Sequence, residues 1–182
     1  NFERVSWSAS LRATAEDLAE RLAVFTQGVF LLMVQGEDVA QVTVSPKRGP
    51  VPNEIKGFEH MRDNPVERAS KTLWVTNIAT KEGKRGKGYA TILLEEVLLW
   101  AIKAGYEKLM TGVSCDGFQD ALSQGKVRSI EEYEAENMNP ALRGLQRAAS
   151  RHGLSVWHSA PIAGYWPEDE SSQGYGVLVA IT

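Results

Sequence analysis

Between Leu73 and Ile102 the chain passes from one apolar run, through a glycine-rich basic turn, into a second apolar run of different period. The first run, Leu73-Trp74-Val75-Thr76-Asn77-Ile78-Ala79-Thr80, is short and rich in β-branched and aromatic residues, which predicts a buried strand. In the second, Ala90, Leu93, Leu94, Val97, Leu98 and Ala101 share one face at helical spacing, while Glu95 and Glu96 turn away. Gly105 supplies a C-terminal stop. Lys84-Arg85-Gly86-Lys87-Gly88-Tyr89-Ala90-Thr91 lies between them. Its glycines let backbone approach an anion closely, and the helix start presents N–H groups without intrahelical acceptors. A strand that feeds a helix through such a turn restricts the chain to a mixed α/β arrangement with an anion cradle at one strand end.

The remaining segments extend that arrangement. Residues 8–23 read as an amphipathic helix with Leu11, Leu18 and Leu22 on its apolar stripe and Trp7 just ahead. Val29–Gln35 and Val39–Ser45 read as strands joined across Gly36-Glu37-Asp38. Residues 46–71, broken by Pro46, Gly49, Pro50 and Pro52, read as a long loop with one short helix, the kind of segment that walls a pocket. Lys108–Cys115 is a strand with Leu109, Thr111 and Val113 on one side. Residues 116–138 read as a polar connection with a short exposed helix near Ser129–Glu136. Asn139-Pro140 opens a helix that runs to His152 and stops at Gly153. Val156-Trp157 begins a strand, 161–172 is a loop, and Gly176–Ile181 is a last strand.

At 182 residues and 43% hydrophobic, the chain is sized for one domain. A net charge of −3 argues against a nucleic-acid footprint, so any basic patch is local. The lone Cys115 excludes an intramolecular disulfide and fits a reducing compartment. No apolar run is long enough to span a membrane and no signal peptide opens the chain, so a cytoplasmic location is expected. The start at Asn1, without methionine, leads us to expect residues 1–182 to be a single domain cut from a longer multidomain polypeptide.

Arg85-x-x-Gly88-x-Ala90, between strand and helix, resembles the acyl-CoA-binding motif of the GNAT (acetyltransferase-fold) superfamily, and the element order matches over most of the chain. The resemblance implies that fold: a mixed central sheet flanked by helices. It implies that Arg85, Gly86, Lys87, Gly88, Tyr89 and Ala90 hold the phosphates of coenzyme A or of a carrier-protein phosphopantetheine thioester. The pantetheine arm would run along the Leu73–Thr80 strand past Ile78. No kinase-type Gly-Lys-Ser/Thr follows, and a dinucleotide fingerprint lacks its third glycine and its downstream acid.

Many GNAT enzymes place a tyrosine, as acid for the leaving thiolate, four residues before the glycine that ends the second helix. Here that glycine is Gly153 and the position is Ala149. A narrower resemblance runs through Asn139-Pro140-Ala141-Leu142-Arg143, Arg151-His152-Gly153, Tyr165-x-Pro167-Glu168-Asp169 and Gln173-Gly174-Tyr175-Gly176-Val177-Leu178-Val179. These look like the GNAT-like decarboxylase domains of polyketide synthase loading modules (curacin synthase type). Those domains decarboxylate malonyl-type thioesters on a carrier protein. The implied partners are an acyl carrier protein and adjacent synthase domains, with no nucleic acid, membrane or metal. The implied catalytic pair is a threonine and a histidine, carried here to Thr111 and His152, with Trp7 as a pocket wall. Trp166, the other expected pocket residue, takes the place of an arginine that often precedes Pro167; this departure speaks against a free-carboxylate substrate, or against that way of holding its carboxylate, or for a bulkier or alkylated malonyl group.

Decarboxylation of a β-carboxy thioester leaves charge on the thioester oxygen, so it needs a donor to that oxygen and a proton for the carbon, but no nucleophile. Thr111 and His152 have the right chemistry, and His152 is expected on the inward face with Ala141, Leu145 and Ala148. Against this, His152 also suits a helix C-terminus and Thr111 a packed strand. His158 reads as structural, His60 as a loop residue within reach of the pocket, and Cys115 as inert. Two other functions stay open: an acetyl-CoA-dependent N-acetyltransferase with Glu59 or Glu82 as base, and a non-catalytic acyl-thioester-binding domain.

Overall fold

Local sequence signals and the burial they enforce account for most of the elements in the computed structural model, which describes residues 14–48, 66–136, 139–167 and 169–182. In order these are α1 (Ala15–Val24), a 3-10 turn (Thr26–Gly28), β1 (Val29–Val34), β2 (Glu37–Pro46), β3 (Thr72–Thr80), α2 (Tyr89–Lys103) and β4 (Lys108–Ser114). There follow α3 (Phe118–Ser123), α4 (Ile130–Ala135), α5 (Pro140–Arg151), β5 (Val156–His158), a second 3-10 turn (Glu170–Ser172) and β6 (Gly176–Ile181). The architecture is the expected mixed α/β one. Two compact units share it, one of residues 14–48 with 66–109, the other of the described residues from 110 to 182. Leu11 and Trp7, and the short helix expected within 46–71, fall largely or wholly outside the described residues.

In the first unit β1, β2 and β3 form an antiparallel ladder in chain order. Gln35 (φ 54°) and Gly36 (φ 80°) both occupy the left-handed region, the requirement of a two-residue hairpin turn. The connection therefore begins one residue and ends two residues earlier than expected: Glu37 and Asp38 already belong to the ladder, facing Val34 and Met33. On β3 the register jumps, with Thr43 facing Asn77 and Val44 facing Val75, so Thr76 is the extra residue of a bulge. Its hydroxyl donates to the Thr43 carbonyl at 3.2 Å. Leu93, Leu94, Val97, Leu98 and Ala101 of α2 are buried as the periodicity predicts, and Trp100 meets Phe30 of β1 edge-on at 5.1 Å. Each such aliphatic side chain contributes about 1.5–3 kcal/mol on burial. In α1, by contrast, Leu22 of the expected apolar stripe is 42% exposed.

In the second unit the strand order is β4-β6-β5, and β5 pairs antiparallel with β6 from Val156↔Ile181 to His158↔Val179. All six residues of β6 are buried. Asn139 starts α5 as its sequence predicts: its Oδ1 accepts from the N–H groups of Ala141 and Leu142, and its Nδ2 donates to the Ser114 carbonyl at 3.0 Å. Leu142, Leu145, Ala148 and Ala149 form the buried stripe. The connection from 116 to 136 is not simply polar. It holds two short helices, and Phe118, Ala121, Val127, Ile130 and Tyr133 are all buried.

Candidate functional site

Thr80 ends β3, and the chain turns through Lys81–Gly88 into α2. Gly83, Gly86 and Gly88 have φ of 73°, 74° and 79°, a backbone that only glycine adopts without strain. A Cβ on any of them would meet nothing within 4 Å, so the turn is open on its outer side. Gly88 caps α2 without a side-chain hydrogen bond, and the first turn of the helix carries no acidic residue. The first intrahelical bond there runs from Ile92 N–H to Gly88 O, so the preceding N–H groups are left for an outside acceptor. These features fit the phosphate of a pantetheine-bearing ligand. Arg85, Gly86, Lys87 and Gly88 are exposed and Tyr89 and Ala90 half-buried, while Ile78 is half-buried on β3 opposite Val42. Arg85 Nε also donates to the Thr80 carbonyl at 3.4 Å.

One participant had no local signal. Glu37 of β2 reaches the turn and pairs with Lys84 at 2.8 Å and with Lys81 at 3.5 Å. The Lys84 ammonium, by hydrogen bond and charge, holds the Glu37 carboxyl below its ordinary value, and Glu37 raises Lys84 in return.

In the second unit Thr111 is 7% exposed on β4, its hydroxyl directed to the Gly112 carbonyl at 3.3 Å. Gly112 follows it and so presents the opposite face of the strand. That face is covered by Tyr165, fully buried: an ideal Cβ on Gly112 would lie 2.3 Å from the Tyr165 hydroxyl oxygen. A Cβ on Gly176 of β6 would lie 2.7 Å from Trp166 Cδ1 and 2.8 Å from Tyr165 Cδ1. Tyr165 and Trp166, with ring centroids 5.5 Å apart, thus form a slab seated on two glycines. Tyr165 thus covers the face of β4 opposite to the one that Thr111 presents, and Trp166 lies against Gly176 of β6. A glycine inside a strand is the sequence signal for such a close approach.

His152 differs from its expected placement. The helix ends at Arg151, and His152 is its C-cap with φ −109° and ψ 11°. It has left the helical period that would align it with Leu145 and Ala148, and it is exposed rather than inward. Ala149, four residues before Gly153, is fully buried. Cys115 is also fully buried. Desolvation, with Glu134 and Asp169 nearby, pushes its thiol up to about 12, which leaves it protonated and unreactive at neutral pH. Burial would raise the Asp169 carboxyl, but hydrogen bonds from Ser114, Ser171 and Ser172 outweigh it and hold the group below its ordinary value. Trp7, Glu59 and His60 lie outside the described residues. Among the described residues no cluster of three metal-ligating side chains occurs, and no helix is long and apolar enough to cross a membrane.

His158 has the structural partner its position suggested. Its Nδ1 lies 3.6 Å from Glu134 Oε2. Burial raises the Glu134 carboxyl, against the opposing charge of His158, and Glu134 Oε1 is buried with no hydrogen-bond partner. A raised folded pKa means that the contribution of this group to stability is complete below about pH 4.5, the ordinary value. It is lost as pH climbs through the folded pKa. Glu134→Gln should therefore match the parent protein at pH 4 and exceed it by about 1 kcal/mol at pH 8. Thermal melts at the two pH values check this, and a variant relatively weaker at pH 8 contradicts it.

Residues 7–122 match the model of the acetyltransferase (GNAT) family. No curated protein matches the chain. The GphF GNAT-like decarboxylase in complex with isobutyryl-CoA is similar in structure, with TM-score 0.76 and 22% identity over 98% of this chain and 90% of that one. The loading GNATL domain of CurA from Lyngbya majuscula is similar to the same degree, with TM-score 0.76 and 21% identity over 98% and 88%. The ribosomal-protein-S18-alanine N-acetyltransferase from Escherichia coli follows at TM-score 0.56 and 13% identity over 98% and 81%. At such identities the likenesses establish fold. With its family match and its order of strands and helices, the chain belongs to the GNAT acetyltransferase family.

Proposed function

We propose that this chain decarboxylates a malonyl- or alkylmalonyl-thioester, borne on an acyl carrier protein or on coenzyme A, to give a starter acyl group for polyketide-type synthesis. The observation that carries the reading is the pairing of a loss with a provision. The position of the thiolate's acid is Ala149, sealed in the core, whereas Thr111 keeps a hydroxyl inside β4. A reaction that expels a thiolate wants the first; one that builds charge on a thioester oxygen wants the second. Two similar solved structures, a GNAT-like decarboxylase and a loading GNATL domain, support the same reading.

In this reading the turn residues 85–90 hold the ligand's phosphate, and Ile78 lies along its arm. The bond between the α-carbon and the carboxylate breaks, carbon dioxide leaves, and the electron pair moves onto the thioester oxygen. Thr111 donates its hydroxyl hydrogen bond to that oxygen. His152, at the solvent end of α5, returns a proton to the α-carbon. The single domain is one station of a longer synthase, with a carrier domain as partner.

Incubation with malonyl- and methylmalonyl-loaded carrier protein, followed by intact mass, tests this. The loaded carrier should lose the mass of carbon dioxide with the parent protein and lose it more slowly with His152→Ala. No loss with either protein defeats the reading. Transfer of acetyl from acetyl-CoA to amines, in its place, would make the chain an N-acetyltransferase.

A further inference from the structure

The charged groups around the anion turn are not all available to a ligand. Lys81, Lys84, Arg85 and Lys87 are its cations, with Glu82 in the turn and Glu37 brought in from β2, a net of two positive charges. The hairpin geometry imposes Glu37. The two-residue turn at Gln35-Gly36 sets it at the first ladder position of β2, opposite Val34. A backbone bond from Lys81 N–H to Val39 O at 3.1 Å, next to the Ala40–Thr80 pair, fixes the start of the anion turn beside it. Its carboxylate then takes Lys84 at 2.8 Å and Lys81 at 3.5 Å.

We propose that Glu37 is a specificity-determining residue of the anion turn. By occupying Lys81 and Lys84 it lowers the charge the turn offers, and so removes the advantage that a ligand with an added phosphomonoester would otherwise have over one with a single phosphodiester or a diphosphate. The inference rests on the reading that this turn holds the phosphate of a pantetheine-bearing ligand. A phosphomonoester adds about −1.5 to −2 charges at neutral pH, and only free lysines would repay its desolvation. Glu37 stays ionised there, because its neighbours hold its carboxyl low.

Calorimetric titration with coenzyme A and with 3′-dephospho-coenzyme A tests the inference without recourse to activity. The parent protein should bind both with similar affinity. Glu37→Gln should bind coenzyme A about two- to five-fold tighter, as expected for an exposed pair, with a smaller gain for the dephospho form. Raising the salt should shrink the gain. In a Lys81→Gln/Lys84→Gln background Glu37→Gln should change nothing, which separates charge release from any effect on the hairpin. Equal gains for the two ligands, no gain, or a gain that survives loss of both lysines would overturn the role of Glu37 alone. Failure of the parent protein to bind either ligand would overturn the phosphate reading of the turn with it.

Discussion

Gly112→Ala should cost about 3 kcal/mol of stability, the upper end of ordinary overpacking. The new methyl carbon would sit 2.3 Å from the Tyr165 hydroxyl oxygen, 2.6 Å from Cε1 and 2.8 Å from Cζ. A flexible side chain could swing clear. A planar ring that is fully buried, and that also rests on Gly176 and against Trp166, has nowhere to go. For a chain of this size the melting point should fall by about 6–12 °C. A double-mutant cycle checks the cause, since the same substitution in a Tyr165→Ala background should cost far less. An equal cost in both backgrounds would place the strain elsewhere.

Thr111→Val should leave the fold intact, because valine has the same shape and suits a strand. If the proposed chemistry holds, the decarboxylation rate should fall by about 10²–10³, the usual loss on removing one donor to a developing oxyanion. The Michaelis constant should move little, because the donor matters most where charge has developed. An unchanged rate would remove Thr111 from the reaction. A raised Michaelis constant with an unchanged rate would make it a binding residue.

What was legible in the sequence depended on repetition and on local chemistry. The apolar face of α2 repeats over four turns, and Leu93, Leu94, Val97, Leu98 and Ala101 are buried as read. Asn139-Pro140 announces its helix through chemistry confined to adjacent residues. The six residues of α3 complete fewer than two turns, so Phe118 and Ala121 could show no period, and Gly117 offers no capping side chain. The hairpin turn falls at Gln35-Gly36 rather than across Gly36–Asp38, because Gln35, at φ 54°, takes a conformation in which asparagine, aspartate or glycine is expected. His152 faces outward because the helical period that would turn it inward stops at Arg151, one step before it. Glu37 was invisible for another reason: what it does depends on where β2 and the turn after β3 meet.

The cap of α5 also bears on how the protein ages. Both polar atoms of the Asn139 amide have protein partners, and the residue is 1% exposed. Hydrolysis of that amide to a carboxylate would set an anion against the Ser114 carbonyl, where a donor now stands. Asparagine deamidates mainly through a cyclic imide closed by the backbone nitrogen of the next residue. Here that residue is Pro140, whose nitrogen carries no hydrogen and cannot close the ring. The proline that starts the helix thus also shields its cap from chemical decay.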